Sequence, residues 1–276
     1  MQRGGPSMMT LPPFGGAVRR IVLAYVVAFF GLALLHFALP QRGSLIEGAL
    51  SLIPMAVVHG WVWQLVTYTF VGGGILNTAF ALLTLWFTGS SLEGMRGPQW
   101  VAELFYVSVI GGGVVATILA MLHVFGLRPD VPAWGAWSAV FGMLVAFAIL
   151  FAEQEIVFFF VLRMKAKYLV LIYVLIEIAM LIRGEDRLAA AVQLSAGLCG
   201  YLYVRFAPRR GLSYAVTERY FGVRNSYFRW KRRRAAKKFE VYMRKQDRVV
   251  HFDSEGRYIA PEDESGSKRS DKKWMN

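Results

Sequence analysis

The chain has 276 residues, of which 56% are hydrophobic, and carries a formal charge of +13 at pH 7. Soluble domains are about 45–50% apolar and do not gather that content into long runs, so an ordinary soluble globule is excluded. The lone cysteine, Cys199, excludes an internal disulfide, and no zinc-ligand spacing occurs, so neither a metal nor a cofactor is expected.

Apolar runs cover residues 20–39, 75–91, 99–126, 135–152, 168–182 and 188–206. A bilayer core of about 30 Å takes about 20 helical residues to cross. The expected fold is therefore all-α: a polytopic membrane protein with six transmembrane helices over 20–206 and a basic cytoplasmic tail. The first run is too long for a signal-peptide core and is expected to remain as an anchor.

Residues 40–74 join the first two helices. Leu45, Ile46, Leu50, Leu52, Ile53, Trp61 and Trp63 lie there with few charges. That composition predicts a segment lying at the membrane interface, with the Trp rings at headgroup depth. Gly72–Gly74 then break the chain. Gly111–Gly113 in the third run, and Ala196 with Gly200 in the sixth, predict close helix packing. Pro129 and Pro132 separate the third and fourth helices. Glu177 is the acidic residue deep in an apolar run; a bundle-facing Glu bonded to a neighbouring helix is the simpler reading, a functional carboxyl the alternative. Cys199 reads as a packing residue.

Charge is uneven. From residue 207 onward, 19 Lys and Arg face 9 Asp and Glu, a net +10, against +3 for residues 1–206. Arg3, Arg19 and Arg20, then Arg163, Lys165 and Lys167, then the tail fall on one side of six spans. The Lys/Arg rule places residues 1–19 and the C-terminus in the cytoplasm. Residues 207–250 read as a basic, aromatic helical tail, and 251–276 as disordered. Lys231, Arg232, Arg233, Arg234, Lys237 and Lys238 form its densest cluster. Interleaved aromatics point to anionic lipid headgroups as its partner, and nucleic acid ranks lower because no RNA-binding motif is present.

Five stretches resemble the rhomboid intramembrane proteases in that family's order. They are Trp63-Gln64 with Thr67, where rhomboids usually carry Trp-Arg; residues 70–97, with Leu85-Trp86-Phe87, Gly89, Glu93 and Gly97; GAWSAVFG at 135–142; KAKYLVLIYVLIE at 165–177, similar to one bacterial group; and VQLSAGLCGYLYVRF at 192–206. The resemblance implies a six-helix fold with a serine-protease site sunk below the membrane surface. It also implies a bacterial inner membrane.

Aligned on those motifs, Trp137 stands where the family has its nucleophilic serine and Gln193 where it has its histidine. Asn77 and Ala81 stand at the oxyanion-side His and Asn. An indole offers no nucleophilic oxygen, and a carboxamide is no base near neutral pH. Ser138, the neighbouring hydroxyl, is a substitute nucleophile only if a base reaches it, and a helical step turns it about 100° from the lost serine. Trp137, burying roughly 150–250 Å², is expected to fill the former cavity between the second, fourth and sixth helices. The reading is a catalytically degenerate member that binds transmembrane segments of clients without cutting them; derlins are inactive relatives of this kind. The alternatives are a scaffold acting through its tail and, last, an intramembrane serine endopeptidase.

Overall fold

A computed structural model describes residues 14–153, 155–158, 162–184, 186–208, 211–245, 250–252 and 258–259. The helices are α1 (Gly16–Ala38), α2 (Pro40–Leu50), α3 (Pro54–Val58), α4 (Gln64–Thr67), α5 (Ile75–Arg96), α6 (Pro98–Met121), α7 (Trp137–Leu150), α8 (Ala166–Arg183), α9 (Arg187–Phe206) and α10 (Leu212–Arg244). The chain divides into two units, 1–213 and 214–276.

The first unit is a helical bundle. The central helix α9 packs on α6, α7 and α8, while α5 packs on α7 and α1. Among the described residues, α1, α5 and α6 are long and apolar enough to cross a membrane. At 14 residues α7 is shorter. It spans about 21 Å at ~1.5 Å per residue, less than a bilayer core. Ser138–Leu144, Ala146 and Phe147 are all buried on it, so its surroundings are protein rather than lipid and its length is not set by the bilayer. The helices α8 and α9 complete the bundle.

Small residues set the helix spacing. A Cβ at Gly112 would lie 2.8 Å from the Ala196 Cβ, and one at Gly200 would lie 2.8 Å from the Gly142 carbonyl oxygen. The glycines and the Ala196/Gly200 pair therefore hold α6, α7 and α9 at backbone contact, as their spacing predicts. Cys199 faces Gly111 across the same seam.

Glu93 caps a different helix from its own. Its Oε2 accepts the Val18 amide at 3.1 Å, satisfying an orphan donor at the start of α1. Gly89, one turn back, leaves room for the Val18 side chain. The pair explains why α5 carries these two residue types four apart. Gly97, at φ 89°, then reverses the chain between α5 and α6.

Two departures from helix occur among the described residues. Glu155–Phe158 pairs antiparallel with Leu162–Lys165 (β1 and β2), and His251–Phe252 pairs with Tyr258–Ile259 (β3 and β4). In the EIVF segment after α7, β-branched and aromatic residues favour a strand over more helix. The second ribbon lies in the stretch expected to be disordered; residues 260–276 lie outside the described residues. At the base of the first ribbon Glu153 pairs with Lys165 at 2.5 Å and Lys167 at 2.6 Å.

Candidate functional site

The loop 51–74 is built first, because it forms one wall of the site. Pro40 and Pro54 open α2 and α3, where a missing N–H leaves no bond unmade. Gln64 is fully buried. Its Oε1 accepts the Ile53 amide at 3.1 Å and its Nε2 donates to the Ala49 carbonyl at 3.2 Å. Thr67 donates to Leu50 O and Trp63 to Ala49 O. The Trp-Gln and Thr positions thus tie the loop into one body by satisfying backbone groups that lie outside regular structure. Trp61 and Trp63 stack at 5.3 Å and remain exposed.

The same loop is stitched to the α6–α7 connector. Leu52 and Ala133 exchange both backbone hydrogen bonds, and the Gly135 amide donates to Tyr68 O. Tyr68 in turn donates to Val109 O at 3.0 Å, anchoring the loop on α6.

A cavity of about 190 Å³ lies where these parts meet the ends of α5, α7 and α9. That is room for several waters at about 30 Å³ each. Asn77, Trp137, Ser138 and Gln193 all line it, with Tyr68, Trp134 and Asp186. Three separated stretches of sequence are therefore brought to one wall. Ala81 is buried and is not part of the lining.

Trp137 does not close the cavity. It is half-buried, its Nε1–H donates to Asn77 Oδ1 at 2.6 Å, and its ring stacks on Tyr173 of α8 at 6.1 Å. The ring is drawn sideways by those two partners, so space remains beside it. The sequence reading of a filled cavity is corrected accordingly.

Ser138 is buried, and its Oγ donates to Gly135 O at 3.3 Å. It lines the same cavity as Trp137, although the helical turn between them suggested different surroundings. Among the described residues no histidine lines the cavity. His59 bonds its own turn at Met55 O, and His36 lies 4.0 Å from Glu47. Gln193 is half-buried. The arrangement offers hydrogen-bond donors and acceptors, with Asp186 as the acidic group in the lining. Glu177 is half-buried on α8, one turn beyond Tyr173, and outside the lining. No group of His, Cys, Asp and Glu that could hold a metal occurs among the described residues.

Sequence reasoning missed Tyr68, Tyr173, Trp134 and Asp186. Tyr68 adjoins the Thr67 motif, and Asp186 starts α9 at a left-handed φ of 43°. Neither signal was specific without the fold.

Residues 21–230 match the family described as Eukaryotic integral membrane protein (DUF1751). The chain belongs to this family. It is an integral membrane protein, in agreement with the apolar runs. A eukaryotic family overturns the expectation of a bacterial inner membrane. Hydropathy and Lys/Arg bias report on bilayer thickness and orientation and are alike in both kinds of membrane, so the bacterial assignment rested on one similar helix. No curated protein matches the chain.

In the second unit α10 exposes Tyr227, Trp230, Val241 and the cluster Lys231 to Arg234 with Lys237 and Lys238. Side chains of 212–220 lie outside the described residues.

Proposed function

We propose that this chain is a non-catalytic, rhomboid-like membrane protein that binds transmembrane segments of client proteins. The observation behind the reading is the cavity wall: Trp137 and Gln193, which the resemblance aligns with the rhomboid nucleophile and base, both line an open space. A hydroxyl without a base is a poor nucleophile. Ser138 gives its proton to a backbone carbonyl and has no imidazole in the lining.

Binding is supported by what surrounds the cavity. Ile75, Leu76, Phe80 and Leu83 of α5, and Leu171, Ile172 and Leu175 of α8, expose apolar side chains. A client helix arriving through lipid meets apolar surface first. It then reaches Asn77 and Gln193, whose amides hydrogen-bond to a polar or unwound segment. Interhelical hydrogen bonds in membranes contribute on the order of 1 kcal/mol each, enough to favour polar clients without fixing one sequence.

The test is a photocrosslinker at Gln193, compared with one at Phe37, an exposed residue outside the lining. The reading expects membrane-protein adducts at 193 that diminish in Asn77→Ala. Equal adducts at both positions would oppose it. The scaffold reading rests on the exposed basic helix and concerns different residues. The endopeptidase reading ranks last.

A further inference from the structure

We propose that one face of α10, bearing Tyr227, Trp230, Arg234, Lys238 and Val241, docks on the anionic headgroups of the membrane that anchors the chain. The inference is independent of client binding. It rests on the second unit alone.

These five residues are spaced by three, four, four and three positions. At about 100° per residue they fall on one stripe. All five are exposed. Glu240 falls well off the stripe by the same periodicity, so no described acidic side chain interrupts it. On the other side of the helix Ala236 is buried, and Phe239 meets Phe252 edge-on at 6.2 Å.

The chemistry of the stripe selects the occupant. The Arg234 guanidinium lies 5.2 Å over the Trp230 ring, and Tyr227 and Trp230 are neighbours at 6.2 Å. Tyr and Trp sit at headgroup depth, where the ring is apolar and its polar edge is wet. Lys and Arg beside them lay their stems along the interface and place their charge among phosphates and carboxylates. The linkage favours the membrane over a diffusing polyanion: α10 starts six residues after α9 ends, so the bilayer is held at high effective concentration. Charge attraction of this kind fades over about 10 Å at 0.1 M salt, which makes the contact reversible by salt.

The test uses the full chain with Cys199→Ala and a fluorescent probe on Val241→Cys. It is reconstituted in bilayer discs whose lipid chains carry a quencher. One set of discs is phosphatidylcholine, and the other contains phosphatidylserine as well. The proposal expects quenching in the anionic discs only, reversed by added salt. Arg234→Gln and Lys238→Gln are each expected to lower the docked-to-undocked ratio roughly fivefold. Equal quenching in both discs, indifference to salt, or a ratio unchanged in both variants overturns it. A probe unquenched by anionic discs but shielded by added RNA overturns it in favour of nucleic acid.

Discussion

Trp137 and Asn77 join the first turns of α7 and α5 through an indole N–H donated to a carboxamide oxygen at 2.6 Å. The bond ties the indole edge to α5, and the ring stacks on Tyr173 at the cavity wall. Trp137→Phe removes the donor and keeps the bulk. The expected loss is about 1 kcal/mol, the net contribution of one such bond. Heating in detergent with a thiol dye on Cys199, the chain's sole cysteine, reads it as a lower unfolding temperature. The effect should vanish in an Asn77→Ala background.

Restoring the two absent groups should not restore chemistry. Trp137→Ser with Gln193→His is expected to leave hydrolysis of transmembrane substrates at background. Ala81 is buried and apolar, so a second donor of the kind rhomboids carry at that aligned position is still missing. Cleavage by the double variant would show that Ala81 is no obstacle.

Gln64 makes two hydrogen bonds to backbone from a fully buried position. Gln64→Ala strands the part-buried Ile53 amide, while the Ala49 carbonyl keeps its bond from Trp63. A loss of about 1–3 kcal/mol is expected for such a group. Limited proteolysis should then open the chain between residues 49 and 67 before the bundle unfolds.

Glycines of equal sequence standing should differ in cost. Gly200→Ala drives a methyl into the Gly142 backbone, which cannot turn aside, and is expected to lose about 1–3 kcal/mol. Gly94→Ala meets nothing within 4 Å and is expected to be neutral or to gain up to about 1 kcal/mol from helix propensity. Cys199 dye reactivity on heating orders the two.

Glu153, exposed between Lys165 and Lys167, has its carboxyl pKa lowered to about 2 by hydrogen bonds from both. A depressed carboxyl stabilises above its unfolded value of 4.5, and that contribution is lost as pH falls toward about 2. Solvent and salt screen the pair. Glu153→Gln should therefore leave the unfolding temperature nearly unchanged at neutral pH. A large drop at high salt would contradict this.

The helices were legible because long apolar runs mark them, and each of the six runs has its helix, although among the described residues α1, α5 and α6 are the ones long and apolar enough to cross a membrane. The packing seam was legible because Gly112, Ala196 and Gly200 are too small for another purpose. The role of Gln64 was not legible, since a polar loop residue shows its burial only once Ala49 and Ile53 fold over it. The resemblance to rhomboids aligned Asn77, Trp137 and Gln193 with one site. It could not show that Tyr173 would draw the Trp137 ring aside and leave the cavity open.

The most direct measurement combines capture with mass. A photocrosslinker at Gln193 in native membranes is followed by mass spectrometry of the captured client. The account predicts a full-length client, captured more at 193 than at Phe37 and equally in Ser138→Ala. A client cut at a discrete site, with cutting lost in Ser138→Ala, would contradict it.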